Sequence, residues 1–298
     1  MNGASMKHSL RSLKEMKLSK TPITWLTCYD YSFASVLDST DLDMILVGDS
    51  GGMVLLGYSD TVPVTMNEMI QLASSVRRGA PSKFIIGDMP KGSYEGSNEE
   101  AIKNAMRFIK ESSCDAVKLE GGIEMSERVR AISGSGIPVV GHIGLTPQSA
   151  IAQGGYRVIG RVKDEKNKLF SDAKKLTDSG AFAILLEAMP PDLAAKISSK
   201  LEILIMGIGA GPQVDGQLLI LHDLLGLYPN FRPKFAKCYI PAAIEEFIVG
   251  IGSVENLVAH GRSTRNDGFR EIARLAVNLF IKETKAGIFP SSEYSYKN

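Results

Sequence analysis

The sequence predicts an α/β protein built as a (β/α)8 barrel. Three observations predict it. Short apolar runs alternate along the chain with amphipathic segments, the order expected of repeated β/α units. Most of these runs are continuous rather than alternating, as parallel strands buried on both faces require. Eight of them fall within 298 residues, a length that suits a barrel of about 250 residues and one core.

In order, the first two expected strands are Ile23 to Cys28 and Met44 to Val47. Thr65 with Glu68 has capping-box spacing and starts the helix that precedes Phe84 to Gly87. Ser97 with Glu100 repeats that spacing before Ala116 to Leu119. The fifth to eighth strands are Val139 to Gly141, Ala183 to Leu186, Ile203 to Ile208 and Lys234 to Lys237. Gly79, Gly136 and Gly180 precede strands and fit left-handed C-caps, where a missing Cβ removes the steric penalty. No low-complexity linker divides the chain, so one barrel domain is expected over 1–298, with an N-terminal extension at 1–20 and a C-terminal elaboration at 239–298. That elaboration ends in a helix near Glu271 to Lys285.

Composition narrows the function. Lys and Arg number 34 against 33 Asp and Glu, a net charge of +1. So even a balance argues against a nucleic-acid or acidic-membrane binder. No apolar run approaches the ~18 residues of a membrane span. Cys28, Cys114 and Cys238 are scattered and odd in number, which supports neither a disulfide frame nor a zinc site. The opening MNGASMKHSLRSLKEMKLSK lacks the apolar stretch of a secretory signal, so a cytoplasmic location is expected.

Ionisable residues gather at the C-terminal ends of the expected strands: Asp49, Asp88, Lys118, Glu120, His142 and Glu187. Those ends share one rim in an α/β barrel and hold its active site. Asp49, Asp88 and Glu120 offer hard oxygen ligands without matching imidazoles or thiolates, which suits Mg²⁺ or Mn²⁺ better than Zn²⁺. Taken singly, each acid is equally readable as a helix cap or Asx turn. Together they would repel one another without a cation. Lys118 and Glu120 are two apart on one strand and share a side, either as a working pair or as a plain ion pair. Glu187 ends an apolar strand before AMPP, a partly desolvated place suited to a general base or to a buried ion-pair partner. His142 reads equally as a ligand contact or a core histidine. His222 reads as a structural helix residue. GIGAGP, 207–212, lacks both the dinucleotide fingerprint and the Walker pattern and reads as a tight rim loop.

The strings TCYDYSFA, ILVGDSGGMVLLGYSDTVPVT, GDMPKGSY, DAVKLEGG, GIPVVGHIGLTPQS, GGYRVIGR, GAFAILLE and GIGAGPQVDGQLLILHDLLGL resemble the ketopantoate hydroxymethyltransferase family in order from Lys17 to Tyr239. The resemblance resumes at KAGIFPSSEYSY. It implies a barrel of the phosphoenolpyruvate/pyruvate type, bound Mg²⁺, and transfer of a one-carbon unit from 5,10-methylenetetrahydrofolate to 3-methyl-2-oxobutanoate in pantothenate biosynthesis. It assigns Asp49 and Asp88 to the metal with Glu120 as a third ligand, direct or through water, and Asp49, Ser50, Asp88, Lys118 and His142 to the keto acid. Glu187 becomes the proton acceptor. A cytoplasmic homo-oligomer, often a decamer in this family, is the implied state. Two positions depart from the pattern: Gly51 stands where GDSLGM has Leu, adding backbone freedom beside Ser50, and Lys91 stands where FGSY has Phe. The segment 240–270 is longer than the family's, with helical spacing of apolar residues that fits a rim cover or a subunit contact. The competing readings are a Mg²⁺-dependent carbon–carbon lyase of the isocitrate lyase kind, although no KKCGH-like loop is present, and a catalytically silent ligand-binding barrel.

Overall fold

The computed structural model describes residues 7–152, 154–251 and 268–297. Eight parallel strands close into a barrel in chain order, the last hydrogen-bonded back to the first. They are β1 Ile23–Thr27, β2 Met44–Val47, β3 Phe84–Asp88, β4 Ala116–Glu120, β5 Val139–Gly144, β6 Ala183–Glu187, β7 Leu204–Ile208 and β8 Gly216–Leu219. Nearly every strand residue is buried, which explains the continuous apolar runs: one face meets the barrel interior and the other the helices.

The outer layer comprises α2 Tyr31–Asp38, α4 Met66–Gly79, α5 Asn98–Ser112, α6 Ser126–Gly134, α7 Lys163–Asp178 and α8 Pro191–Lys200. Two single-turn helices, α3 Gly51–Val54 and α9 Leu221–Leu224, follow β2 and β8. At the opposite end, α1 Leu10–Leu18 packs against β7. After α10 Ile240–Ile251 comes α11 Gly268–Lys285, which packs on α2 and β1 and so covers the seam where the barrel closes. The helical spacing expected in 240–270 is observed as far as Ile251; the stretch 252–267 lies outside the described residues. No described helix is long and apolar enough to cross a membrane.

The helix-start chemistry is borne out at Thr65, whose hydroxyl accepts from Glu68 N while the Glu68 carboxylate accepts from Thr65 N. Ser97 caps α5 by accepting from Glu100 N, but the Glu100 carboxylate does not return the bond, so the box expected there is half made. Gly136 and Gly180 have positive φ, as a left-handed cap requires. Gly79 is corrected: it is the last residue of α4 with no positive φ, and a Cβ there would meet Tyr31 O at 2.5 Å and Ala34 Cβ at 2.7 Å. It is glycine because α2 and α4 touch.

The eighth strand is also corrected. Lys234 to Lys237 is not a strand; β8 is Gly216–Leu219, reached from β7 through the loop 209–215 with no crossover helix. Within that loop Gly209 and Gly211 have positive φ, and Cβ atoms on them would stand 2.4 Å from the Phe235 ring and 2.6 Å from Pro191 Cβ. The Gln217 amide donates to Gly211 O at 3.1 Å. GIGAGP is therefore the tight rim loop expected. Lys234 and Lys237 instead anchor the C-terminal segment, donating to Ser295 O at 2.7 Å and pairing with Glu283 at 2.6 Å.

Candidate active site

Strand register decides which rim residues meet. Asp88 is paired with Lys118, Glu120 with His142, and Gly144 with Glu187. Four consecutive strands thus deliver their terminal side chains to one arc. Gly144 permits the last step: at its positive φ a Cβ would lie 2.2 Å from Glu187 O. All seven sequence-predicted residues line a single cavity of about 380 Å³ at the C-terminal mouth.

Lys118 is the hub. Its ammonium is 2.7 Å from Asp88 Oδ1, 3.8 Å from Glu120 Oε1 and 3.3 Å from His142 Nδ1. Burial alone would depress the Lys118 pKa, but Asp88, Glu120 and Asp49 outweigh it and the group is raised, so it stays charged. An ammonium can only donate, so His142 Nδ1 accepts from it; Nδ1 also lies 3.3 Å from Glu120 Oε1, which leaves Nε2 as the ring nitrogen turned to the far side. That nitrogen is 3.1 Å from Glu187 Oε2. Burial and the Lys118 charge pull the His142 pKa down, which keeps the ring neutral between Lys118 and Glu187.

Around this line the acids are crowded. Burial pushes Asp88 well above the usual carboxylate range, with Asp49 and Glu120 adding to the rise. Asp49 is raised by burial and by Glu120, and Glu120 by burial to about 6. Asp88 Oδ2 accepts from Asp49 N at 3.1 Å, whereas Asp88 Oδ1, despite its ion pair, has no aligned hydrogen-bond donor. Three buried carboxyls raised by one another's proximity, one with an unsatisfied oxygen, are a donor set that a hard cation would relieve. Among the described residues no three such side chains already converge as a metal cage. The fit is to a cation held by one or two carboxylates and completed by substrate oxygens and water, the usual habit of Mg²⁺.

Several participants escaped the sequence reading. Gln148, buried in the turn after β5, donates from Nε2 to Asp49 Oδ2 at 2.8 Å and Met89 O at 3.0 Å, and its backbone N donates to Glu120 Oε2 at 3.0 Å. Its Oε1 accepts from the Tyr94 hydroxyl at 2.6 Å. Tyr29 hydrogen-bonds Ser50 Oγ at 2.9 Å. Asp223 lines the outer cavity. Gln148 and Tyr29 lay inside quoted motifs, yet neither carries a charge at a strand end, the signal that found the others. His222 is structural as expected, packed in α9 against the Tyr29 and Phe33 rings.

Of the two departures, Gly51 is not in the left-handed region; a Cβ there would stand 2.7 Å from Tyr29 Cδ1. The glycine gives Tyr29 room beside Ser50 rather than freedom to the backbone. Lys91 pairs with Glu95 at 3.0 Å and lies close enough to Glu120 to oppose the rise in its pKa.

Comparison with known proteins identifies the family. The sequence pattern of the family described as Ketopantoate hydroxymethyltransferase matches residues 7–251. The chain is 45% identical over 289 residues to the 3-methyl-2-oxobutanoate hydroxymethyltransferase of Moorella thermoacetica, covering 97% of each. It is 43% identical to that of Heliobacterium modesticaldum, covering 97% of this chain and 95% of the relative. Among solved structures, phosphonopyruvate hydrolase in complex with oxalate and Mg²⁺ superposes with a TM-score of 0.58 at 12% identity, covering 93% and 98% of the two chains. A 2,3-dimethylmalate lyase of the PEP mutase/isocitrate lyase superfamily gives 0.54 at 16%, covering 82% and 87%. At that identity the structural likenesses speak for the fold.

Proposed function

The chain belongs to the ketopantoate hydroxymethyltransferase family and hydroxymethylates 3-methyl-2-oxobutanoate to ketopantoate in pantothenate biosynthesis; we propose that Glu187 is its base, 5,10-methylenetetrahydrofolate its one-carbon donor and Mg²⁺ its cofactor. The observation that carries the reading is the line Lys118–His142–Glu187, a fixed cation and an oriented carboxylate facing one cavity.

Asp49 and Asp88 would hold the metal together with the substrate's oxygens, with Glu120 reaching it directly or through water. When bound, Mg²⁺ supplies Lewis-acid polarisation of the keto acid's 2-oxo group. Ser50 and Lys118 bind the acid's oxygens, and the Lys118 charge stands where negative charge grows on enolisation. Glu187 takes the C3 proton onto its carboxylate, whose Oε2 lies 3.1 Å from the neutral His142 ring. The carbon nucleophile attacks the folate-borne methylene carbon, whose bond to N10 breaks as N10 takes up a proton. Water then displaces the tetrahydrofolate nitrogen and leaves the hydroxymethyl group on C3. The apolar walls from Leu46, Leu145 and Ile208 keep bulk water from the carbanion. The same reading extends to a cytoplasmic homo-oligomer; the exposed apolar side chains Ile244, Ile248 and Val249 on α10 support an assembly.

The test is exchange of the C3 deuteron of 3-methyl-2-oxobutanoate followed by NMR, with and without Mg²⁺. Glu187→Gln lowers exchange and turnover by at least ~10²-fold while the keto acid still binds. Near-normal exchange in that variant removes Glu187 from the role.

A further inference from the structure

The keto acid accounts for the inner half of the cavity only. The outer half has a different character. Tyr228, Phe231, Phe235 and Tyr296 line it, and α9 contributes one charged side chain, Asp223. Phe235 and Tyr296 pack edge to face at 6.2 Å, a rigid wall, whereas the Phe231 ring is 65% exposed at the mouth with apolar surface to spare.

Asp223 is 5% exposed, and among the described residues its carboxyl has no hydrogen-bond or ion-pair partner. Arg232 is the one positive charge acting on it, from beyond ion-pair range. A buried acid with unused acceptors is unfavourable unless a donor arrives. Such a group on an aromatic-lined cavity that opens onto the catalytic arc points to a ligand with a flat ring and an edge of N–H donors.

We propose that this outer half seats the reduced pterin ring of the one-carbon donor, with the Asp223 carboxylate receiving the ring N3–H and 2-amino hydrogens and Phe231 and Tyr228 covering its faces. The inference rests on the reading above that the donor is a folate. Two parallel N–H donors match the two oxygens of one carboxylate, a pairing stronger than two neutral hydrogen bonds. Burial, which raises Asp223 to about 7, leaves it readily restored to the carboxylate by such a partner. Because the cavity is continuous, a ring held by Asp223 presents its one-carbon bridge towards Glu187 and the keto acid.

Calorimetry on the full chain with Mg²⁺ and 3-methyl-2-oxobutanoate tests this, titrating tetrahydrofolate and, separately, 6-methyltetrahydropterin, which lacks the aminobenzoylglutamate tail. Asp223→Asn weakens both ligands at least tenfold while keto acid affinity moves less than twofold, and Phe231→Ala weakens both severalfold. Wild-type affinity for both ligands in both variants overturns the assignment. If Asp223→Asn does not fold, judged by its circular dichroism, Phe231→Ala decides, since an exposed ring is dispensable to the fold. Weakened tetrahydrofolate with unchanged methyltetrahydropterin also overturns it, because the tail and not the ring would then occupy the wall. Tetrahydrofolate bound through Asp223 by a protein that never exchanges the keto acid deuteron would keep the subsite and sink the proposed reaction instead.

Discussion

Asp223 and Gln148 solve the same problem, a buried polar group, in opposite ways. Gln148 uses both amide hydrogens and its carbonyl within the protein, on Asp49, Met89 and Tyr94. Asp223 keeps its acceptors for something else. The consequence is a measurable stability cost. Its pKa rises from 3.8 to about 7, driven by burial and opposed by Arg232. The other titratable groups around it, Tyr29 and His222, stay neutral there: burial pushes the phenol up and the imidazole down. An acid whose folded pKa is raised binds its proton more tightly when folded, so its cost is absent below the unfolded pKa. The cost grows as pH rises towards 7 and is constant above it. Asp223→Asn is therefore expected to equal the wild type in stability at pH 4 and to exceed it by about 1–3 kcal/mol at pH 8, read from urea denaturation. A pH-independent difference would mean that Asp223 is ionised throughout. Neither residue was legible in the sequence as a site residue. Asp49, Asp88, Lys118, Glu120, His142 and Glu187 were, because a charge directly after an apolar run has few structural uses, whereas Asp223 sits in LLILHDLLGL with ordinary helical spacing.

Elements were legible where a strand, a helix and a glycine repeated in that order, and illegible where the repeat broke. From β7 the chain turns through 209–215 directly into β8, so a reading that waits for a helix passes over QLL and settles on 234–237. The rim positions survived that error because none of the seven predicted residues comes from the last strand. Gly79 shows the opposite difficulty: the glycine is conspicuous in the sequence, but its cause is not. A glycine near a helix end is usually a left-handed cap, yet here Gly79 is the last helical residue without a positive φ, and glycine is needed for the approach of α2. Gly79→Ala thus discriminates the two causes. A capping glycine with positive φ would lose about 1 kcal/mol on substitution. A Cβ forced against Tyr31 O and Ala34 Cβ must separate two helices and is expected to cost about 2–3 kcal/mol. Tyr31 and Ala34 belong to the helix that follows Tyr29, the residue holding Ser50, so a modest rise in the KM for the keto acid should accompany the loss of stability. A thermal midpoint equal to that of the wild type would show that the helices are not in contact there.

The molecule as a whole divides its work between the two ends of the barrel. At the C-terminal mouth the buried acids are raised and crowded, an arrangement that lowers stability for the sake of chemistry. At the N-terminal end the charged groups that tie the strands together are paired. Asp43, ahead of β2, accepts from Thr24 N and Oγ1 and pairs with His8 and Lys285; although burial works against it, these partners hold its pKa below the usual carboxylate range. Lys17 of α1 reaches Ile203 O at 2.6 Å, Leu201 O at 3.0 Å and Asp215 Oδ2 at 2.8 Å, tying the starts of β7 and β8 together where no crossover helix does so. If the division is real, damage at this end should be visible in stability and invisible in catalysis. Lys17→Met removes a largely buried ammonium and leaves two carbonyls and a carboxylate short of a donor, a loss expected to cost about 2–4 kcal/mol. Turnover and both KM values should stay within twofold of the wild type at temperatures where the variant is folded. A kinetic defect without a stability defect would reverse the assignment, because it would mean that the short 209–215 connection transmits strain from α1 to the rim at Phe235, against which Gly209 packs.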